Sequence, residues 1–105
     1  MNDEMTTRFR NTPPTVGGFY VTVFDAVKAP YTLMLSQGGK TLMTFGRAED
    51  NDIVLGSHLV SRHHGRLVLA GGKWYIEDMG STNGLIYNDA NIRRKELRWR
   101  LYPYR

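Results

Sequence analysis

The sequence predicts an all-β fold, an antiparallel β-sandwich of about ten to eleven short strands. Short runs rich in β-branched and aromatic residues recur from Phe19 onward, and glycine or asparagine pairs separate several of them. No stretch repeats its apolar residues with the period of an amphipathic helix. Many short strands at even spacing are typical of a sandwich or a barrel.

The chain divides into a tail and one domain. Residues 1–17 show no periodicity and contain several threonines and the pair Pro13-Pro14, so we expect a flexible N-terminal tail. Residues 18–105 are expected to form a single domain, because the 105-residue chain is too short for two ordinary ones. The strands predicted in this domain are, in chain order, 19–24, 31–35, 41–45, 66–70 and 73–78.

Turn residues separate these strands. The pair Gly71-Gly72 is a strong signal for a two-residue hairpin, because both central residues of such a turn require positive φ. Further turns are predicted at Gly38-Gly39, Asn83-Gly84 and Asn88-Asp89.

Composition excludes several classes of function. The net charge of +4 suits acidic partners in general but is far from that of a dedicated nucleic-acid-binding protein. The chain has no cysteine, which excludes disulfides, thiolate metal ligands and cysteine nucleophiles. No apolar run reaches bilayer length, and the N-terminus lacks the apolar core of a secretion signal. We therefore expect a cytoplasmic protein with no membrane partner.

Three groups of polar residues follow predicted strands: Gly46-Arg47, Ser61–His64 and Ser81–Gly84. Loops at one end of a sandwich often converge, and binding residues are usually carried there. Arginine presents a planar set of donors that suits phosphate or carboxylate, and serine adds further donors. Asparagine offers a donor and an acceptor to the backbone of an extended peptide. These residue types predict a site that holds an anion and a peptide.

The segments FGRAEDNDIVL, VSRHHGRLVL and GKWYIEDMGSTNG resemble the forkhead-associated (FHA) domain family. The family pattern is Gly-Arg, then Ser-x-x-His, then Asn-Gly, and all three motifs occur here in that order. The resemblance covers residues 19–92. It implies a sandwich of the SMAD/FHA type that binds phosphothreonine peptides, is not an enzyme, needs no cofactor and is linked to a Ser/Thr protein kinase.

The resemblance also implies a role for each matching residue. Arg47 and Ser61 hold the phosphate oxygens, and Arg62 is a further phosphate contact. Asn83 hydrogen-bonds the peptide main chain beside the phosphothreonine, and Thr82 lines the same loop. The residues expected to support the binding loops without touching the ligand are Gly46, His64 and Gly84.

Other polar residues are interpreted as structural. His63 and His64 are adjacent, so on a strand they point to opposite faces, and with no cysteine in the chain no metal site is predicted. The acidic segment at residues 48–52 is interpreted as a solvated loop, because no nucleophile and base accompany it.

Residues 98–105 depart from the family pattern, in which a leucine is followed by Gly-Asp and a last hydrophobic strand. Here Leu97 is followed by RWRLYPYR. Our hypothesis is a frameshift near Arg98, which the coding DNA would test. Altered last strands would expose a sheet edge, so we expect a tendency toward a strand-exchanged or edge-paired homodimer.

Three alternatives remain open for the function. The module could bind its own tail after phosphorylation of Thr6 or Thr7. It could be an FHA-type scaffold without active phosphopeptide binding. It could also bind nucleic acid or an acidic surface, with a steep salt dependence, through a basic C-terminal stretch that contains Arg93, Arg94, Lys95, Arg98, Arg100 and Arg105.

Overall fold

A computed structural model describes residues 7–15, 18–25, 27–87 and 89–97. Within these residues the chain forms ten β-strands and one 3-10 turn at Gln37–Gly39. None of the described residues form a helix that is long and apolar enough to cross a membrane. The strands are β1 (Arg8–Thr15), β2 (Gly18–Asp25), β3 (Lys28–Met34), β4 (Leu42–Gly46), β5 (Ile53–Val54), β6 (Gly65–Ala70), β7 (Lys73–Asp78), β8 (Leu85–Tyr87), β9 (Ala90–Ile92) and β10 (Arg94–Glu96).

The strands form three sheets with the orders β1-β2-β3, β10-β7-β6-β4-β5 and β8-β9. All pairs are antiparallel except β4 and β5, where Phe45 pairs with Ile53 in parallel. The predicted all-β sandwich is confirmed. The parallel pair matters for the site, because it brings the chain after the 47–52 loop back beside the last two residues of β4.

The core lies between the two larger sheets. Val21 and Val23 alternate along β2 and are fully buried, and they share one apolar cluster with Phe45, Leu67 and Trp74 of the five-stranded sheet. Such alternation places one face of a strand in the core and the other toward solvent. The core thereby fixes the end of β4, from which the candidate site begins.

The expectation of a flexible tail over residues 1–17 is wrong for residues 8–15, which form β1 and pair with β2 from Arg8↔Phe24 to Thr15↔Gly18. Phe9 is the residue that anchors this strand: its ring packs edge-on against Phe45, with the centroids 4.8 Å apart. The register shifts between Thr12 and Thr15, where prolines 13 and 14 supply no N–H donor. Proline is tolerated here because β1 is an edge strand.

The predicted hairpin at Gly71-Gly72 is confirmed. Ala70 pairs with Lys73 across the turn, and the two glycines have φ of 59° and 78°. Residues other than glycine rarely adopt positive φ at two successive positions, which is why the glycine pair predicts the turn. The hairpin aligns β6 and β7, whose opposite ends carry the polar loops described next.

Candidate functional site

Three loops meet at one end of the five-stranded sheet, and hydrogen bonds join them. The loops comprise residues 47–52, 55–64 and 79–84. The Arg47 N–H donates to the Ser61 carbonyl at 3.0 Å, and the Thr82 N–H donates to the Ser61 hydroxyl at 2.9 Å. The structure therefore places the three predicted groups of polar residues side by side, with Ser61 between the other two.

Arg47 is exposed and is oriented by a single bond, from its Nε to the Val60 carbonyl at 3.0 Å. Its two Nη atoms have no partner among the described residues. Arg62 is also exposed, and its side chain contacts no hydrogen-bonding or ionic partner within the described part of the chain. Two arginines thus adjoin Ser61, one through its backbone and one as the next residue in the chain, and neither guanidinium group has a carboxylate partner among the described residues, an arrangement that favours an anion.

Ser61 and Asn83 keep unused hydrogen-bonding capacity. The Ser61 hydroxyl accepts from Thr82, so its own proton is available for donation to a ligand. Asn83 donates through Nδ2 to the Leu59 carbonyl at 2.7 Å, which fixes the orientation of its amide. Its carbonyl oxygen and second N–H proton remain available for the backbone of a peptide, since both side chains stand at the surface of the loops.

His64 connects two of the loops from below. Its Nδ1 accepts the Ser61 N–H at 3.0 Å, so that nitrogen carries no proton, and its Nε2 lies 2.9 Å from the Gly84 carbonyl, so that nitrogen must donate. These partners define the neutral Nε2–H tautomer. The ring is buried and stacks on Phe45 with a centroid distance of 6.0 Å.

Gly46 lies where two backbone segments approach closely. A Cβ atom at this position would collide with the Arg62 carbonyl and lie 3.0 Å from Nδ2 of Asn51. The same carbonyl accepts the Ala48 N–H at 3.0 Å. The absence of a side chain therefore lets residues 61 and 62 lie directly against the end of β4.

Asn51 is a positioning residue that the sequence analysis missed, since residues 48–52 were interpreted as a solvated loop. It is only 8% exposed, and its Nδ2 donates to the carbonyls of Ala48 and Arg62, both at 2.8 Å. Asn51 alternates with the buried Ile53 and Leu55, a two-residue period that predicts an inward-facing side chain. This signal was present in the sequence.

Asp78 organises the third loop. Its carboxylate accepts the Ser81 hydroxyl proton and the N–H groups of Gly80 and Ser81 at 3.0 and 3.1 Å. Burial raises the pKa of Asp78, but the Ser81 hydroxyl and these N–H groups together hold that pKa below its usual range. An aspartate at the end of a strand commonly accepts the N–H two residues later in an Asx turn, as Asp78 does from Gly80, and this pattern could have identified the residue.

We expect the free energy of unfolding to fall in acid. Hydrogen bonds from Lys40 and Thr44 lower the pKa of Asp52, and hydrogen bonds from Arg66 and Arg94 lower the pKa of Glu77. The pKa of Asp78 is lowered as well. A lowered folded-state pKa contributes stability above the ordinary carboxyl value of about 4 and loses it as the pH falls through the folded value. Urea titrations at pH 7 and pH 3 should show a lower midpoint at pH 3. Asp78→Asn should weaken this dependence; an unchanged pH profile in that variant would contradict the role of Asp78.

Two residues of the basic stretch near the C-terminus, Arg94 and Lys95, are engaged within the described part of the fold. Arg94 donates to Glu77 at 2.7 Å and lies 3.8 Å from the ring centroid of Tyr75, and Lys95 lies over Tyr87. Arg93 differs, as its side chain has no ionic partner in the described ranges. Residues 98–105 lie outside the described residues, as does Thr6, so the expectations about them stay predictions.

Comparison with known proteins points to one family. The family model for the FHA domain matches residues 43–102. The FHA domain-containing protein FhaB of Mycobacterium tuberculosis is 45% identical over 47 residues, which are 45% of this chain and 30% of FhaB. The transcriptional regulatory protein EmbR of the same organism is 48% identical over 48 residues, 46% of this chain and 12% of EmbR. The chain thus spans less than a third of the length of these relatives.

Solved structures share the fold. The Slr1951 protein of Synechocystis superposes with a TM-score of 0.62 and 28% identity, covering 71% of this chain and 73% of that one. The structure of Mycobacterium tuberculosis EmbR in complex with a low-affinity phosphopeptide gives a TM-score of 0.57 and 28% identity over 88% of this chain and 20% of EmbR.

Proposed function

The chain belongs to the FHA domain family, and from this premise we propose that it is a phosphothreonine-dependent peptide-binding module. It recruits a protein that a Ser/Thr kinase has phosphorylated, acts in the cytoplasm, and binds its ligand without catalysis. The observation that carries the proposal is the cluster of unpaired donors around Ser61, with Arg47 and Arg62 on its flanks. The phosphopeptide bound to EmbR supports the same ligand class for a chain of this fold.

The phosphate group binds between the arginines and the serine. Phosphothreonine carries about −1.5 to −2 charges near pH 7 and three strong acceptor oxygens. Arg47 donates from its free Nη atoms, the Ser61 hydroxyl donates its free proton, and the exposed Arg62, next to Ser61 in the chain, adds a second guanidinium group. Each of these bonds joins a donor to an ionised acceptor, which makes it about twice as strong as a neutral bond.

Peptide binding extends from the phosphate to Asn83. The amide of Asn83 is held by the Leu59 carbonyl, so its free groups are oriented before the peptide arrives. Thr82 lies beside it, with its own N–H already bound to Ser61. A ligand that engages Asn83 through its main chain contributes little sequence preference there, so the phosphothreonine is the main determinant of recognition.

The test is a titration with a phosphothreonine peptide library, alongside matched phosphoserine and unphosphorylated peptides. We expect micromolar binding, about −8 kcal/mol, for phosphothreonine peptides and none without phosphate. A slot for the threonine methyl group should give about a 10- to 200-fold preference over phosphoserine. Asn83→Ala should weaken binding about tenfold, because one hydrogen bond contributes about 1 kcal/mol or slightly more. Equal binding of unphosphorylated peptides would contradict the proposal.

The self-recognition alternative is tested on the same protein. Thr7 directly precedes β1, whose first residue Arg8 pairs with Phe24. A phosphorylated Thr6 or Thr7 that occupies the site should lower the affinity for added phosphopeptide. Kinase-treated protein should then bind the library peptides more weakly, and replacement of both threonines by alanine should abolish that loss.

A further inference from the structure

A cleft continues from the peptide-binding loop toward β9 and β10. It has a volume of about 350 Å³. Thr82 and Asn83 form part of its wall, and Thr82 is bonded to Ser61 through its N–H, so the cleft adjoins the proposed phosphate site. The remaining lining residues are Asp78, Ser81, Gly84, Asn91, Ile92 and Arg93.

The solvent-exposed charged group in this cleft is cationic. Among the described lining residues Asp78 is the only acidic one; its side chain is only 10% exposed, and its carboxylate accepts hydrogen bonds from Ser81 and Gly80. Among the same described residues Arg93 is the only basic one, and its exposed side chain has no ionic partner there. The other arginines of the same sheet differ, since Arg66 and Arg94 share Glu77 at 2.7 Å each.

The position of Arg93 is fixed even though its side chain is free. Its carbonyl accepts the Asp78 N–H at 2.9 Å, which ties residue 93 to the start of the loop that carries Thr82 and Asn83. Because the backbone of Arg93 is held by this hydrogen bond, the region that its guanidinium group can reach is limited. The charge therefore acts within the reach of one arginine side chain from this anchored backbone.

The opposite flank of the site carries the opposite charge. Glu49 and Asp50 are exposed on the loop that follows Arg47; Asp50 contacts His63 at 3.0 Å, and Glu49 has no partner within the described ranges. A peptide across the loops meets negative charge beyond Arg47 and positive charge beyond Asn83. This polarity disfavours an anionic side chain on the first flank and favours it on the second.

We propose that Arg93 and this cleft select ligands that carry an anionic side chain near the phosphothreonine, on the side of the peptide that lies beyond Asn83. The inference rests on the proposed function, because it assigns a preference within the same ligand class. The anionic group is a carboxylate or a second phosphate, since a guanidinium group binds both in the same way.

The experiment uses one phosphothreonine peptide in which each flanking position in turn is alanine, glutamate, phosphoserine or lysine. Binding is measured by fluorescence anisotropy with the unaltered protein, Arg93→Ala, Arg93→Glu and, as a matched control, Arg94→Ala. On one side of the phosphothreonine, glutamate should bind about fivefold more tightly than alanine, the ratio for 1 kcal/mol of an exposed ion pair. The lysine peptide should bind more weakly than the alanine peptide. A difference in affinity between the glutamate and phosphoserine peptides shows whether the cleft prefers a carboxylate or a phosphate.

The variants separate this inference from the proposed function. Arg93→Ala should equalise the glutamate and alanine peptides, and Arg93→Glu should reverse the preference toward lysine. Arg94→Ala should keep the preference, because Glu77 and Tyr75 hold that side chain away from a ligand role. The same glutamate-to-alanine ratio in Arg93→Ala as in the unaltered protein overturns the inference while phosphate dependence persists. Loss of phosphate dependence in the unaltered protein overturns the proposed function and this inference with it.

Discussion

Replacement of Arg47 by alanine should lower the affinity for a phosphothreonine peptide about a hundredfold. The variant loses charge-assisted bonds to the phosphate, which together contribute about 3 kcal/mol. The free energy of unfolding should change by less than about 1 kcal/mol, because the exposed side chain makes one hydrogen bond within the described residues, to the Val60 carbonyl. Isothermal titration and urea unfolding measure the two quantities.

Arg47→Lys is the matched control for charge. Lysine keeps the positive charge but lacks the Nε that binds Val60 and the planar pair of donors, so we expect only partial recovery of affinity. Full recovery would show that charge alone determines binding at this position. An unchanged affinity in Arg47→Ala, with the protein folded, would remove Arg47 from the phosphate site.

The second large effect is expected for His64→Ala, which should lower the free energy of unfolding by about 3 kcal/mol. The substitution leaves a cavity beside Phe45 and removes the partners of the Ser61 N–H and the Gly84 carbonyl. Since these groups belong to two different binding loops, phosphopeptide affinity should fall as well. Urea unfolding measures the first effect and peptide titration the second.

His64→Phe separates packing from hydrogen bonding. It keeps an aromatic ring against Phe45 but cannot bridge Ser61 and Gly84, so it should recover part of the stability and little of the affinity. His63→Ala is the matched control, because His63 is exposed and its side chain has Asp50 as its one hydrogen-bonding partner among the described residues. It should leave both quantities near their original values. Equal losses in His63→Ala and His64→Ala would contradict the bridging role of His64.

Local sequence signals were sufficient for five of the ten strands that the described residues form, and for the tightest turn. Alternation in 19–24 and 73–78 predicts β2 and β7, because a strand with one buried face must repeat every two residues. Alternation failed for β1, where the core contact among the described side chains is the ring of Phe9 against Phe45. One aromatic residue gives no period, so this strand depends on pairing with β2, which sequence pattern does not encode.

The sequence by itself determined the all-β class, the glycine hairpin and the residue types of the site, because each depends on the conformational or chemical properties of residues close together in the chain. Only the tertiary structure decided how these residues are held. It buried Asn51 against the Arg62 carbonyl, assigned the His64 tautomer through Ser61 and Gly84, and left Arg93 unpaired while Arg94 binds Glu77. These features depend on the packing of three loops at one end of the five-stranded sheet and on the pairing of β10 with β7.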